Sequence, residues 1–216
     1  MKRLIALVLG TLVLVGIVQS AAVADERNGA DKGDRADSRE CSSHGHQFVD
    51  NGDGTVTDCS TGLIWEQKTG TCTVADPTDV HCYLNTYSPA AIDPSHASRN
   101  GTLYTDFLAR LNDDTSADGV TTCFANHCDW RIPNVHELQT ILLGPYPCAT
   151  PCINSVFGFV ALGPTFNTAF WSSTELPLDP VINYTPWEWL VDVYNGQVHK
   201  QIKGYPRAAR AVRGGP

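Results

Sequence analysis

"FVDNGDGTVTD", Phe48 to Asp58, crowds three aspartates and three turn-forming residues into one short run. It reads either as a cation-binding loop or as a turn between strands. An EF-hand loop requires D-x-[DN]-x-[DN]-G, with a glutamate at the twelfth position. Counted from Asp50, the third and fifth positions are Gly52 and Gly54, which carry no side-chain oxygen. Counted from Asn51, the fifth is Thr55 and the sixth Val56, where glycine is needed. Both registers fail. Asn51-Gly52-Asp53-Gly54 instead tolerates positive φ and lies between the β-favouring runs Gln47-Phe48-Val49 and Thr55-Val56-Thr57. The stretch predicts a β-hairpin, and no metal or other cofactor is expected.

Outward from the hairpin, Gly62-Leu63-Ile64-Trp65-Glu66 reads as a buried strand. Gln67 to Asn100 is rich in Thr, Pro, Asp and Ser, has no period and reads as one long loop. Leu103, Phe107, Leu108 and Leu111 recur at helical spacing, which predicts a first helix over Thr102 to Asn112. Asn134-Val-His-Glu137 is a capping box, followed by the apolar stripe Val135, Leu138, Ile141 and Leu142 of a second helix. His136 lies on that helix with no recognisable nucleophile or acid partner, and reads as exposed or capping.

The end of the chain turns to strands: Ala169 to Ser173, then Trp187 to Tyr194 with Trp187, Trp189, Val191 and Val193 on one face. Asn195-Gly196 predicts a hairpin back through Gln197 to Ile202, and Arg207 to Arg213 alternates as a last strand. Helices early and strands late argue α+β: two helices packed on antiparallel sheets.

Lys2-Arg3, the apolar run Leu4 to Val18 and the small-x-small Ala22-Val23-Ala24 predict a secretory signal peptide over 1–24. Cleavage after Ala24 would give a secreted or periplasmic protein with no membrane insertion. Residues 25–40 lack any large apolar side chain and read as a flexible polar leader, and 41–216 suit a single domain. Losing Lys2 and Arg3 leaves 13 basic residues against 23 acids, a net charge of −10. That balance disfavours nucleic acid and anionic membranes as partners.

All eight cysteines follow the leader, and an even count behind a signal peptide implies disulfides. Eight cysteines allow about 105 pairings. The simplest is local: Cys41–Cys59, Cys72–Cys82, Cys123–Cys128 and Cys148–Cys152. Zinc at Cys41, His44 and His46 with Cys123 and Cys128 would need a different spacing, and an oxidising compartment favours disulfides.

Five segments occur in order: "FVDNGDGTVTDCSTGLIWE" (Phe48–Glu66), "DWRIPNVHELQ" (Asp129–Gln139), "FWSST" (Phe170–Thr174), "WLVDVYNGQV" (Trp189–Val198) and "RAVRG" (Arg210–Gly214). Together they resemble the bacterial family named for the C-terminal domain of the Legionella collagen-like adhesin. The resemblance implies a C-type-lectin-like fold, related in architecture to the sulfatase-modifying enzymes. It also implies an extracellular adhesion module for sulfated polysaccharide. The calcium- and sugar-holding motifs of C-type lectins, Glu-Pro-Asn or Gln-Pro-Asp and then Trp-Asn-Asp, are absent, as is a collagen-like repeat.

The reading that follows is a non-enzymatic binding module for a glycan or a surface protein. Its alternatives are an assembly or phage-type receptor-binding component and a formylglycine-generating-like oxidoreductase using Cys123 and Cys128. Lys200, Lys203, Arg207, Arg210 and Arg213 are the candidate ligand-binding residues, because Lys200 to Pro216 holds five cations and no acid. Arg210 and Arg213 also belong to the closing motif. The expectation is that Gln197–Ile202 and Arg207–Arg213 lie side by side and present these charges together. Oligomeric state is not legible.

Overall fold

The computed structural model describes residues 41, 47–91, 98–113, 122–158, 168–178, 180–181 and 185–215. The expected signal peptide, the polar leader, His44 and His46 lie outside them. The opening stretch forms a hairpin, with β1 (Phe48–Asp50) antiparallel to β2 (Thr55–Asp58) and Asp50 opposite Val56. Gly52 and Gly54 take φ of 76° and 88°, the left-handed region for which glycine has no Cβ penalty. The aspartates serve the turns. Asp50 accepts from the Gly52 amide, Asp53 from the Thr55 amide and hydroxyl, and Asp58 from the Ser60 amide and hydroxyl.

β3 (Leu63–Glu66) pairs with β2 on one edge and with β7 (Val212–Arg213) on the other, giving the antiparallel order β1-β2-β3-β7. A second antiparallel sheet orders β4 (Ala169–Glu175), β5 (Trp187–Asp192) and β6 (Val198–Ile202). β3 and β4 bury side chains on both faces, and the two-residue period of a strand sorts them between two cores. Leu63, Trp65, Phe170, Val191, Ala208 and Val212 go to one core, with Leu138 and Ile141. Ile64, Ala169, Trp171, Leu190, Ala209 and Ala211 go to the other, with Leu103, Phe107 and Leu111.

The first helix differs from the α-helix expected over Thr102 to Asn112. It is a π-helical segment, Leu103–Leu108, running into one α-turn, Ala109–Leu111 (together α1). Leu103, Phe107 and Leu111 are four apart and fully buried. In an α-helix each such step drifts about 40° around the axis, which still leaves the three on one apolar side. The second, α2 (Val135–Thr140), has the expected capping box. The Asn134 side chain accepts from the Glu137 amide at 2.9 Å, and the Glu137 carboxylate accepts from the Asn134 amide at 2.7 Å.

The expected strand Arg207–Arg213 is corrected. Regular pairing is confined to Val212–Arg213, in the first sheet, while Arg207 bridges Tyr87 and Ala208 bridges Phe170 of the second. The segment stitches the two sheets together, so it does not lie beside β6. The cysteines close as Cys41–Cys59, Cys72–Cys82, Cys123–Cys128 and Cys148–Cys152, with Cα separations of 5.4, 5.8, 5.2 and 5.7 Å. Cys72–Cys82 ties the long loop after β3. There Asn85 donates to the carbonyls of Asp76 and Asp79, and Arg110 donates to those of Pro77 and Thr78.

Candidate functional site

The recurring motifs hold one another. Asp129 accepts from Arg213 Nε at 2.8 Å, and Arg131 and Val212 exchange two backbone hydrogen bonds. Arg131 also grips Glu137 with both terminal nitrogens, at 2.8 and 2.6 Å, and donates to the Gly214 carbonyl. Ser173 donates its amide to the Pro133 carbonyl, and Thr174 accepts from the Val135 amide. Trp130 and Trp171 are buried and donate to the Phe124 and Tyr87 carbonyls. These residues build the fold, so a ligand surface must be sought elsewhere.

The five C-terminal cations do not come together. Lys203 is buried, with Nζ 3.0 Å from Glu175. Arg210 is buried between the rings of Phe157 and Phe170, with its guanidinium carbon 5.6 and 5.2 Å from their centroids. It donates to the carbonyls of Glu66 and Phe157. Arg213 is tied to Asp129. These three belong to the interior or its seams, which corrects their reading as ligand contacts. Arg207 is half-buried and fixed through its backbone to Tyr87. Lys200 alone of the five is exposed.

Lys200 belongs to a surface built by β5 and β6. Trp189 stands opposite Lys200, Trp187 opposite Ile202 and Val191 opposite Val198. Alternation puts these six side chains on one face, the face whose Val191 end is covered by α2 through Leu138 and Ile141. At about 3.3 Å per residue, Trp187 lies roughly 13 Å along β5 from Val191. Beyond the helix Trp187 and Trp189 are partly exposed, and Lys200 Nζ sits 5.1 Å from the Trp187 ring centroid. At the opposite end of β6 a cleft of about 590 Å³ opens between α2 and the β5–β6 turn, lined by Gln139, Leu142, Pro145, Tyr146, Gln197 and Val198.

Local chemistry fixes that turn. Asp192 accepts from the Tyr194 amide and Asn195 from the Gln197 amide, with Gly196 at φ 84°. A Cβ on Gly196 would stand 3.2 Å from Cys152 Sγ, so the staple Cys148–Cys152 packs against the turn through a glycine. The loop carries the exposed side chain of Tyr146 to the cleft. Sequence alternation places both tryptophans on one face with Val191 and Val193. The length of α2, which decides where cover stops, is what it leaves out.

Two glutamates are buried, one in each sheet. Glu66 takes Lys68 Nζ at 2.6 Å and His81 Nδ1 at 2.9 Å. Burial alone would raise its carboxyl, but Lys68, His81 and Arg210 hold it down to about 2. Glu188, on the other side of β5, is pushed up to about 7 by burial, against the pull of Arg99 and Lys203. Among the described residues no group of three or more His, Cys, Asp and Glu side chains converges as a metal site would require.

No curated protein and no solved structure matches the chain. The family model of the Lcl C-terminal domain matches residues 54–213. That span contains both sheets' paired strands except β1, both helices and the motif contacts described above save the one to Gly214, and the chain belongs to the Lcl C-terminal domain family.

Proposed function

We propose that this chain is a secreted or envelope-associated binding module of the adhesion type, C-type-lectin-like in fold. Its ligand is a glycan, held on the β5–β6 face. The observation that carries the reading is the juxtaposition of Trp187 and Trp189, both partly exposed beyond α2, with the exposed Lys200. Indole rings offer a flat apolar surface with a polar edge, suited to the apolar faces of sugar rings, and they lose little freedom on contact. A lysine among them adds a donor and one positive charge. The cleft at Tyr146 extends the same face and gives a chain ligand room to continue. The lectin-like assignment is supported by a first hairpin and last strand sharing one sheet, with disulfide-tied loops between them.

The test is an array of neutral, carboxylated and sulfated glycans probed with the wild-type domain and with a Trp187→Ala/Trp189→Ala variant. Binding by the wild type and a loss of at least tenfold in the variant are expected, about 1.4 kcal/mol or more. A variant that binds as well as wild type would remove this face from the function.

A further inference from the structure

Alternation that turns Trp187 and Trp189 outward turns Glu188, between them, to the interior, where it is fully buried. Its direct cross-strand partner is another acid, Glu175, and the β4–β5 ladder is irregular between Trp171 and Glu175. Like charges directly opposite destabilise a sheet. The charged and titratable groups facing Glu188 come from three elements. Arg99 precedes α1 and Tyr104 lies in its first turn, Glu175 comes from β4, and Lys203 from the turn after β6. Gln201 stands opposite it on β6.

Arg99 Nη2 reaches Glu188 at 3.3 Å, but the same guanidinium holds Glu175 at 3.1 Å and the Ser173 carbonyl at 2.7 Å. Lys203 is already engaged by Glu175. Glu188 Oε2 and the Tyr104 hydroxyl are both buried without a hydrogen-bond partner. With Oε2 unpaired, an ionised Glu188 would hold a buried charge with one oxygen unsatisfied, and burial of that kind favours the neutral acid. Glu175, despite its partial burial, is held below the usual carboxylate range by Lys203 and Arg99. The two acids therefore divide one proton between them unequally, and Glu188 keeps it.

We propose that Glu188 is a proton-operated control on the Trp187–Trp189 face, neutral while the face is held in its binding form. When its proton leaves, two opposed carboxylates loosen the β4–β5 seam beneath those rings. The proposal rests on the reading of that face as the binding surface, and it is tested without a ligand. The carboxyl is raised in the folded state, so its contribution to stability is full below pH about 4.5 and is lost as pH rises through about 7.

Three measurements decide it. The ¹³C shift of the Glu188 side-chain carboxyl in the wild-type protein should titrate with a midpoint above pH 6; a midpoint below 5 overturns the proposal. Acrylamide quenching of tryptophan fluorescence should rise between pH 5 and 8 in the wild type and stay flat in Glu188→Gln. Over the same range the wild type's folding constant should fall by up to about a hundredfold relative to Glu188→Gln, two pKa units at tenfold each. If Glu188→Gln does not fold, the carboxyl titration decides alone. A pH-indifferent seam with a Trp187→Ala/Trp189→Ala variant that still loses glycan would sink the control and leave the binding face standing.

Discussion

Replacing Glu66 by Gln keeps the shape of the side chain and removes the one negative charge in a buried cluster. Glu66 is fully buried, as is Arg210, and Lys68 is nearly so. Its Oε1 takes Lys68 and His81, its Oε2 accepts from the Ala211 amide at 3.1 Å, and Arg210 donates to its main-chain carbonyl. Burial alone would raise the acid, yet these cations bring it from 4.5 to about 2. A shift of roughly 2.5 units at 1.36 kcal/mol each is about 3 kcal/mol. Because the folded-state value is depressed, this stability is present above pH 4.5 and lost as pH falls toward 2. In Glu66→Gln the positive charges of Lys68 and Arg210 stay buried without a counter-charge, a change that costs about 3–5 kcal/mol where one partner of a buried pair is removed. Burial already pulls the Lys68 ammonium down and Glu66 props it up, so the variant sheds that proton more readily. Urea unfolding with disulfides intact should show a loss of about 3 kcal/mol at pH 7, shrinking as pH is raised to 9.5. A loss under 1 kcal/mol at pH 7, or one that does not shrink with alkali, would refute the charge argument.

Two further perturbations probe the framework. Asn134→Ala removes the acceptor of the Glu137 amide and should cost about 1 kcal/mol, a fall in Tm of about 2–4 °C by calorimetry. Adding millimolar calcium or a chelator should leave Tm unchanged, because Asp50, Asp53 and Asp58 already accept from their own turns. A site filled at a hundredfold over its Kd would add about 2.7 kcal/mol and be seen at once.

The elements legible in the sequence were those whose signal is local. The hairpin at Asn51–Gly54 is written in residues that accept positive φ, and the α2 cap in Asn134 and Glu137, three apart. The local cysteine pairs close short loops that need no knowledge of the rest. What was not legible depends on partners distant in sequence. Arg207–Arg213 alternates as a strand should, but its neighbours are Tyr87, Phe170, Glu66 and Arg131, which no period within the segment announces. Glu188 offered one clue, an acid on the inward side of an alternating strand between two tryptophans. Its meaning comes from Arg99, 89 residues away.

The same dependence governs the cations. Lys203 and Arg210 lie in a run that is basic in sequence, yet each is consumed by an acid or carbonyl from another part of the chain: Glu175 for Lys203, and the Glu66 and Phe157 carbonyls for Arg210. Arg213 is spent on Asp129, and that ion pair locks the Asp129–Gln139 motif to the closing one. A chain with 23 acids against 15 basic residues has interior and seam positions that require positive charge, and the C-terminal run supplies it. The open face then retains Lys200, whose nearest described partner is the Trp187 ring. Polyanion recognition draws on several cations acting together, and one lysine against a net charge of −8 cannot supply that field beyond a Debye length of about 8 Å. On the binding reading, affinity must therefore come from contact with the indole rings and the Tyr146 cleft, with Lys200 setting orientation. Raising ionic strength should weaken such a complex by little more than the loss of one charge contact.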